Sequence, residues 1–395
     1  MSYVIKAMLS NPRCPECGQI TIPFPIPNDQ YDHTIEMLQT MDLGYSVNRD
    51  CTVDEVDSRC HVLSALHGTL VNVDQLDYLA KRLDSFCEDE DAQFQAMAHK
   101  LELADIKDLI NLTFCCQQAT VITDFSDLER VGRDHHMNIN GGSIPMDEYA
   151  KLDGRMEAMK LIQNEQGTIT PYGVVYDNGM KLEPLYDGRH FPPYLYKPPV
   201  MALETASGED TQGYFCLPMP DRQIQRMIER AGLENQNAPL RIAMDELPEK
   251  AAEMLDLENL SLSDIFALNR LCRAIEPLKD VEKLNAIMLA AEPGDIMAVC
   301  MLAENLDQFD FVPGIHTPEE YGRFMIQESG KFAYDEDLED FYDYRLYGER
   351  CASEEDGQFN ECGYVAYRGI LTIEQLMRQK SEEQCQREPQ MGGFS

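Results

Sequence analysis

The sequence predicts an α+β protein in which one mixed unit occurs twice in tandem, and three observations lead to that reading. The apolar pattern starts as short, proline-interrupted extended runs and changes to helical spacing near residue 72. Separated blocks then recur at a near-constant offset. Pro218 follows Pro25 by 193 residues (218 minus 25), Ile265 follows Leu76 by 189 (265 minus 76) and Gly322 follows Gly132 by 190 (322 minus 132). Gly357 and Gly363 follow Gly167 and Gly173 by 190 (357 minus 167, 363 minus 173). Finally, 395 residues that are 44% hydrophobic can bury real cores, in roughly two to four domains.

In chain order, residues 1–19 hold a weakly alternating YVIKAML, read as an edge strand, and the turn-rich NPRCPECGQ. The prolines in ITIPFPI, residues 20–26, confine it to a sheet edge or a strand end. Asn28 or Asp29 is the expected cap of a helix reaching about residue 41, and a second extended piece spans residues 45–53. Val73, Leu76, Leu79, Ala80 and Leu83 form an apolar helical stripe, and residues 93–101 and 106–114 form two more, giving a helical subdomain. Ser126 is the expected cap of a helix carrying FSDLERVGR, and Gly141-Gly142 ends that region. Residues 167–182 read as two strands joined at Asp177-Asn178-Gly179. The first unit is thus placed at residues 20–185, and the proline- and aromatic-rich stretch with the polar segment after it, residues 186–212, is read as a linker. The second unit spans residues 213–376, where LPMP before DRQIQRMIE repeats FPIP before NDQYDHTIE. Residues 377–395 are a polar, Gln/Glu-rich tail expected to be disordered.

Charge bounds the function. Asp and Glu number 70 against 33 Lys and Arg, a formal net charge of −37. Direct binding to nucleic acid is disfavoured, because a polyanion needs a basic footprint. The same charge spread along duplex DNA corresponds to about 63 Å of helix axis, on the order of 18 base pairs. There is no run of 18 apolar residues, and the start has no apolar segment with a cleavage site. A cytosolic protein off the membrane is therefore expected. The 13 cysteines read as reduced thiols, with Cys216, Cys272 and Cys300 in apolar core runs.

The acids concentrate at Asp335, Glu336, Asp337, Glu339, Asp340, Asp343, Glu349, Glu354, Glu355 and Asp356, offset only by Arg345 and Arg350. If residues 335–346 form a helix, Glu336, Glu339, Asp340 and Asp343 share one face and Leu338, Phe341, Tyr342 and Leu346 the opposite, buried one. Like charges so spaced cost roughly 0.2–0.5 kcal/mol per pair. Such a face is either a solvated helix surface or an anionic surface kept for a partner.

The ordered blocks FDFVPGI (309–315), EEYGR (319–323), DLEDFYDYRLYGE (337–349) and GQFNECGYV (357–365) resemble the C-terminal signature of the ArdA antirestriction proteins of mobile elements. The resemblance implies an elongated, acidic DNA mimic that occupies the DNA-binding groove of type I restriction-modification enzymes. It implies two tandem ArdA-like units, of which the second matches better: the first keeps DLERVGR and lacks the acid-dense block. Two units in one chain supply by covalent linkage the pair that shorter relatives make by dimerising, unless the chain itself also associates. Tyr342, Tyr344 and Tyr347 then stiffen the placement of the carboxylates.

Other chemistry is discounted. Cys14-Pro15-Glu16-Cys17 has zinc-knuckle spacing but no second pair with which to complete four ligands, so a plain turn is expected. His135-His136 beside Asp134 suits a helix end. NINGGS has neither GxGxxG nor a P-loop lysine, and no GxSxG or DxDxDG motif occurs. No cofactor, metal or catalytic residue is expected. The competing reading is an acidic interaction module that binds another basic DNA-binding protein, such as a nucleoid protein, without enzymatic activity.

Overall fold

The computed structural model describes residues 3–207, 210–333, 335, 337 and 342–379. It is mixed α+β, with short strands gathered, among the described residues, into four small sheets. The chain divides into two compact units, residues 1–198 with 220–234 and residues 199–219 with 235–395.

In the first unit, β1 (Ile5–Ser10), β2 (Gln19–Phe24), β3 (Cys51–Ser58) and β4 (Leu70–Val71) form an antiparallel sheet in the order β2-β1-β3-β4. β1 is therefore an inner strand. Its inward residues Ile5, Ala7 and Leu9 are fully buried, which its weak alternation concealed. The edge expected for the proline-bearing segment belongs to β2, where Pro23 has no N–H to give to a further neighbour. α1 (Asn28–Thr40) follows Pro27; Asn28 is already its first helical residue, so neither Asn28 nor Asp29 is the cap.

α2 (Val73–Asp84), α3 (Glu88–Lys100) and α4 (Ile106–Leu112) make the helical subdomain, and the stripe from Val73 to Leu83 is buried as its spacing predicts. α2 starts with a capping box, Asn72 accepting from the Asp74 N–H and Gln75 reaching back to the Asn72 N–H. β5 (Thr120–Ile122), α5 (Leu128–Ile139), α6 (Met146–Lys151), α7 (Gly154–Asn164), β6 (Thr168–Thr170) and β7 (Gly173–Tyr176) complete the series, with sheet order β5-β7-β6. Asp127, not Ser126, caps α5. The β6-β7 hairpin turns at Pro171-Tyr172, not at Asn178-Gly179. The Asn178 amide donates instead to the Gln118 carbonyl and to Thr120 Oγ1, which ties that turn to β5.

The expected linker is not one. Tyr186 is fully buried, its backbone is bracketed by the Asn111 amide at 2.7 and 3.1 Å, and its ring stacks on Phe191, which stacks on Tyr78. These aromatics join the first unit's core. Past them the chain enters β8 (Met201–Ser207) and β9 (Asp210–Leu217) of the second unit. α8 (Asp221–Ala231) then belongs to the first unit, and β10 (Leu240–Asp245) closes the sheet β10-β8-β9.

α9 (Glu249–Met254), α10 (Ile265–Ile275), α11 (Val281–Ala291) and α12 (Ile296–Glu304) form a second helical set. β11 (Phe309–Pro313), α13 (Pro318–Arg323), α14 (Tyr344–Glu354), β12 (Gln358–Phe359), β13 (Gly363–Tyr367) and α15 (Ile373–Met377) follow, with sheet order β11-β13-β12.

Matching local features recur along the two halves. The X-Pro bonds at Pro25 and Pro218 are both cis, and the next backbone N–H is bound by a helix side chain in each case, Ile26 by Asp77 at 2.7 Å and Met219 by Asn269 at 2.9 Å. Asp105 and Asp295 cap α4 and α12, and Asp153 and Asp343 cap α7 and α14. Among the described residues no helix is long and apolar enough to cross a membrane.

Candidate partner-binding surface

The acid-rich region is held by α13 and α14, which cross where neither backbone tolerates a side chain. A Cβ on Gly322 would lie 1.9 Å from the Tyr344 carbonyl oxygen, and one on Gly348 would lie 1.7 Å from that of Pro318. Thr317 and Glu320 form a capping box at the start of α13. The Arg323 guanidinium lies over the Tyr344 ring at 4.6 Å, so Tyr344 is a buried support for the crossing.

The helix expected over residues 335–346 does not run as one piece. Asp343 is the N-cap of α14, its carboxylate accepting from the Leu346 N–H at 2.9 Å, so the helix begins only at Tyr344. Its buried side is Tyr344, Gly348, Cys351 and Ala352. Tyr342 and Leu346, expected on a buried face, are exposed at 46% and 63%. Glu336, Glu339 and Asp340, with Leu338 and Phe341, lie outside the described residues.

The remaining acids fall into three kinds. Asp335, Asp337, Asp343 and Asp356 are exposed, and none makes an ion pair with a described residue. Glu349 and Glu354 are also exposed, but each is matched by the arginine four residues earlier, Arg345 at 2.9 Å and Arg350 at 2.8 Å. Such pairs contribute about 0–1 kcal/mol and open at little cost. Glu355 is internal. Its Oε2 accepts from the Tyr321 hydroxyl at 2.6 Å and the Tyr364 hydroxyl at 2.8 Å, while Oε1 pairs with Arg368 at 3.2 Å. Burial works against its charge, but these three donors outweigh it and hold the carboxyl below its ordinary value. The Tyr321 and Tyr364 rings stack at 3.9 Å, so Glu355 fastens α14 to the sheet and is unavailable to a partner.

The other candidates resolve into structure. Cys14 and Cys17 are joined in a disulfide, against the expectation of reduced thiols; the three-residue spacing brings their Cα atoms to 5.5 Å, within bridging range. Cys272 and Cys300 are core thiols, both pushed up to about 12 chiefly by burial, whereas Cys216 is only half-buried. His135 is buried against Thr120 Oγ1 at 3.0 Å, and burial pushes its pKa down; His136 meets Glu148 at 3.3 Å. Among the described residues no group of three or more His, Cys, Asp and Glu is placed to hold a metal ion. A cleft of about 260 Å³ beside Arg13 and Arg49 is answered internally: Arg49 pairs with Asp105 at 2.7 Å, and Tyr45 bonds both Asp42 and Asp50.

One cluster escaped sequence reasoning. Asp74 accepts from Arg226 at 2.8 Å, Arg230 at 2.7 Å and the Tyr31 hydroxyl at 2.6 Å, while Arg230 also reaches Asn72 Oδ1 at 2.8 Å. With Arg222 on Glu36, these arginines line one face of α8. The signal available was their recurrence every fourth residue, at 222, 226 and 230, in an acidic chain.

A comparison with protein-family models finds no matching family, and a comparison with curated proteins finds no matching relative.

Proposed function

We propose that this chain is an antirestriction protein of the ArdA type, a tandem of two ArdA-like units whose acidic surface occupies the DNA-binding groove of a type I restriction-modification enzyme. The observation that carries the reading is the set of exposed aspartates Asp335, Asp337, Asp343 and Asp356. They lie inside the stretch of ordered block similarity, in a chain of net charge −37. These carboxylates lie in the segment between α13 and α14, at the cap of α14 and just past its end, and they would answer the lysines and arginines that a DNA-binding groove presents to phosphates.

Three features support the tandem reading: the equal strand orders β5-β7-β6 and β11-β13-β12, the matching orders β2-β1-β3 and β9-β8-β10, and the paired caps at Asp153 and Asp343. In the first unit the segment aligned with the acidic block reads PMDEYAKLDG, so the second unit is assigned the main contact.

A second reading has one observation in its favour. Arg345 and Arg350 neutralise two carboxylates and Glu355 is internal, so the charged face of α14 is thinner than composition suggests. A general acidic module for another basic DNA-binding protein needs no denser face. The deciding experiment is competition: the purified chain is titrated at low salt into a type I enzyme bound to labelled duplex DNA. Displacement at near-stoichiometric protein is expected, and its absence with that enzyme, alongside binding to a nucleoid protein, favours the second reading.

A further inference from the structure

We propose that Leu346, with the exposed Tyr342 just before the same helix, is the apolar anchor of this docking surface, seated in an apolar recess of a basic, DNA-binding partner whose cations meet the nearby carboxylates. The inference rests on the reading above and adds what fixes the residence time of the complex. Leu346 is 63% and Tyr342 46% exposed, although helical periodicity assigns both to a core. Since Tyr344, Gly348, Cys351 and Ala352 form the buried side of α14, Leu346 projects from the outer side, one turn from Glu349 and Arg350.

A single exposed leucine is ordinary. Its recurrence in the other half is not. Met156 is the third residue of α7 just as Leu346 is the third of α14. Each gives its backbone N–H to the capping aspartate, Asp153 or Asp343, and Met156 is also exposed, at 50%. The two positions are 190 apart (346 minus 156), the offset of the surrounding blocks. An exposed apolar residue whose own backbone N–H is held by a capping carboxylate is thus present in both halves. One is a leucine and one a methionine, the more adaptable of the two at a contact.

Charge selects the occupant. A second copy docking on the same patch in a two-fold contact would set Asp343 against Asp343, in a molecule already at −37. A basic partner removes that repulsion. Exposed carboxylates accelerate and orient the encounter but are screened by salt, whereas a desolvated apolar contact at the centre of an interface governs dissociation.

The test uses the full chain and a type I enzyme, with association and dissociation followed separately. The variant Tyr342→Ala/Leu346→Ala is expected to associate at the wild-type rate with the same salt dependence and to dissociate on the order of tenfold faster. Leu346→Met alone, which keeps an apolar side chain there, is expected to keep wild-type residence. The melting temperature, expected to be unchanged because both side chains are exposed, serves as the check on folding. Wild-type dissociation in the double variant overturns the anchor and leaves the antirestriction reading standing, whereas failure of the wild-type chain to displace DNA removes both. A wild-type dimer in light scattering that the double variant converts to monomer makes the patch a contact between copies and also overturns the proposal.

Discussion

Asp74 is the residue on which the first unit's polar interior turns. Burial alone would raise its pKa, but the Arg226 and Arg230 guanidiniums and the Tyr31 hydroxyl outweigh that and hold it at about 2, below its ordinary value of 3.8. The stabilisation this represents is complete where the unfolded carboxyl is ionised, above pH 4. It fades as pH falls through the folded value near 2. Replacing the carboxylate leaves two guanidiniums, 6% and 4% exposed, without a counter-charge, at a cost on the order of 3–5 kcal/mol. Asp74→Asn should therefore lower the stability of this unit most at pH 5 and above, with the gap to wild type closing toward pH 2. Urea unfolding at stepped pH measures it, and a gap that stays constant with pH would remove the electrostatic account. Beyond the fourth-residue recurrence of arginines at 222, 226 and 230, none of this was legible in the sequence, where Asp74 and Arg226 are 152 positions apart and Asp74 looks like one first-turn acid among many.

At the scale of elements, the pairs α5/α7 and α13/α14 show what spacing tells and what it hides. The glycines at 132 and 322 were legible as members of a repeat. Their reason, a backbone approach that leaves 1.7 and 1.9 Å for a Cβ, appears only once the helices are crossed. In the sequence Asp343 reads as one more acid on a continuous helical face, because an aspartate fits both an exposed helix position and an N-cap. The cap moved the helix start to Tyr344 and turned Leu346 outward. Gly322→Ala and Gly348→Ala should each destabilise the second unit by about 3 kcal/mol or more, since the obstructing atom is backbone and cannot yield by rotating. Gly294→Ala, with nothing within 4 Å of its Cβ, is the control and should stay within about 0.5 kcal/mol of wild type. Thermal melts of the three variants test this, and a neutral Gly348→Ala would mean that the helices are not so close.

Over the whole molecule, charge was the property most openly written in the sequence, but its usable part is smaller than the count. Of the ten acids assigned to the surface, Glu336, Glu339 and Asp340 lie outside the described residues; of the other seven, Glu355 is taken by two tyrosines and Arg368, Glu349 and Glu354 carry their own arginines, and Asp335, Asp337, Asp343 and Asp356 stand free of ion pairs with described residues. Asp343 also starts a helix, so reversing its charge would confuse folding with binding. Asp335→Lys/Asp337→Lys avoids that, because both side chains are exposed outside any long helix. If association is steered by long-range attraction, this variant should associate several-fold more slowly at low salt, on the order of tenfold, while dissociating almost as wild type does. The difference should shrink as ionic strength rises toward 0.5 M, where the screening length falls to about 4 Å. The wild-type chain should itself lose inhibition over the same range. Association rates measured across that series decide the matter: a rate indifferent to both salt and charge reversal would mean that the acids keep the protein in solution and do not recruit the enzyme.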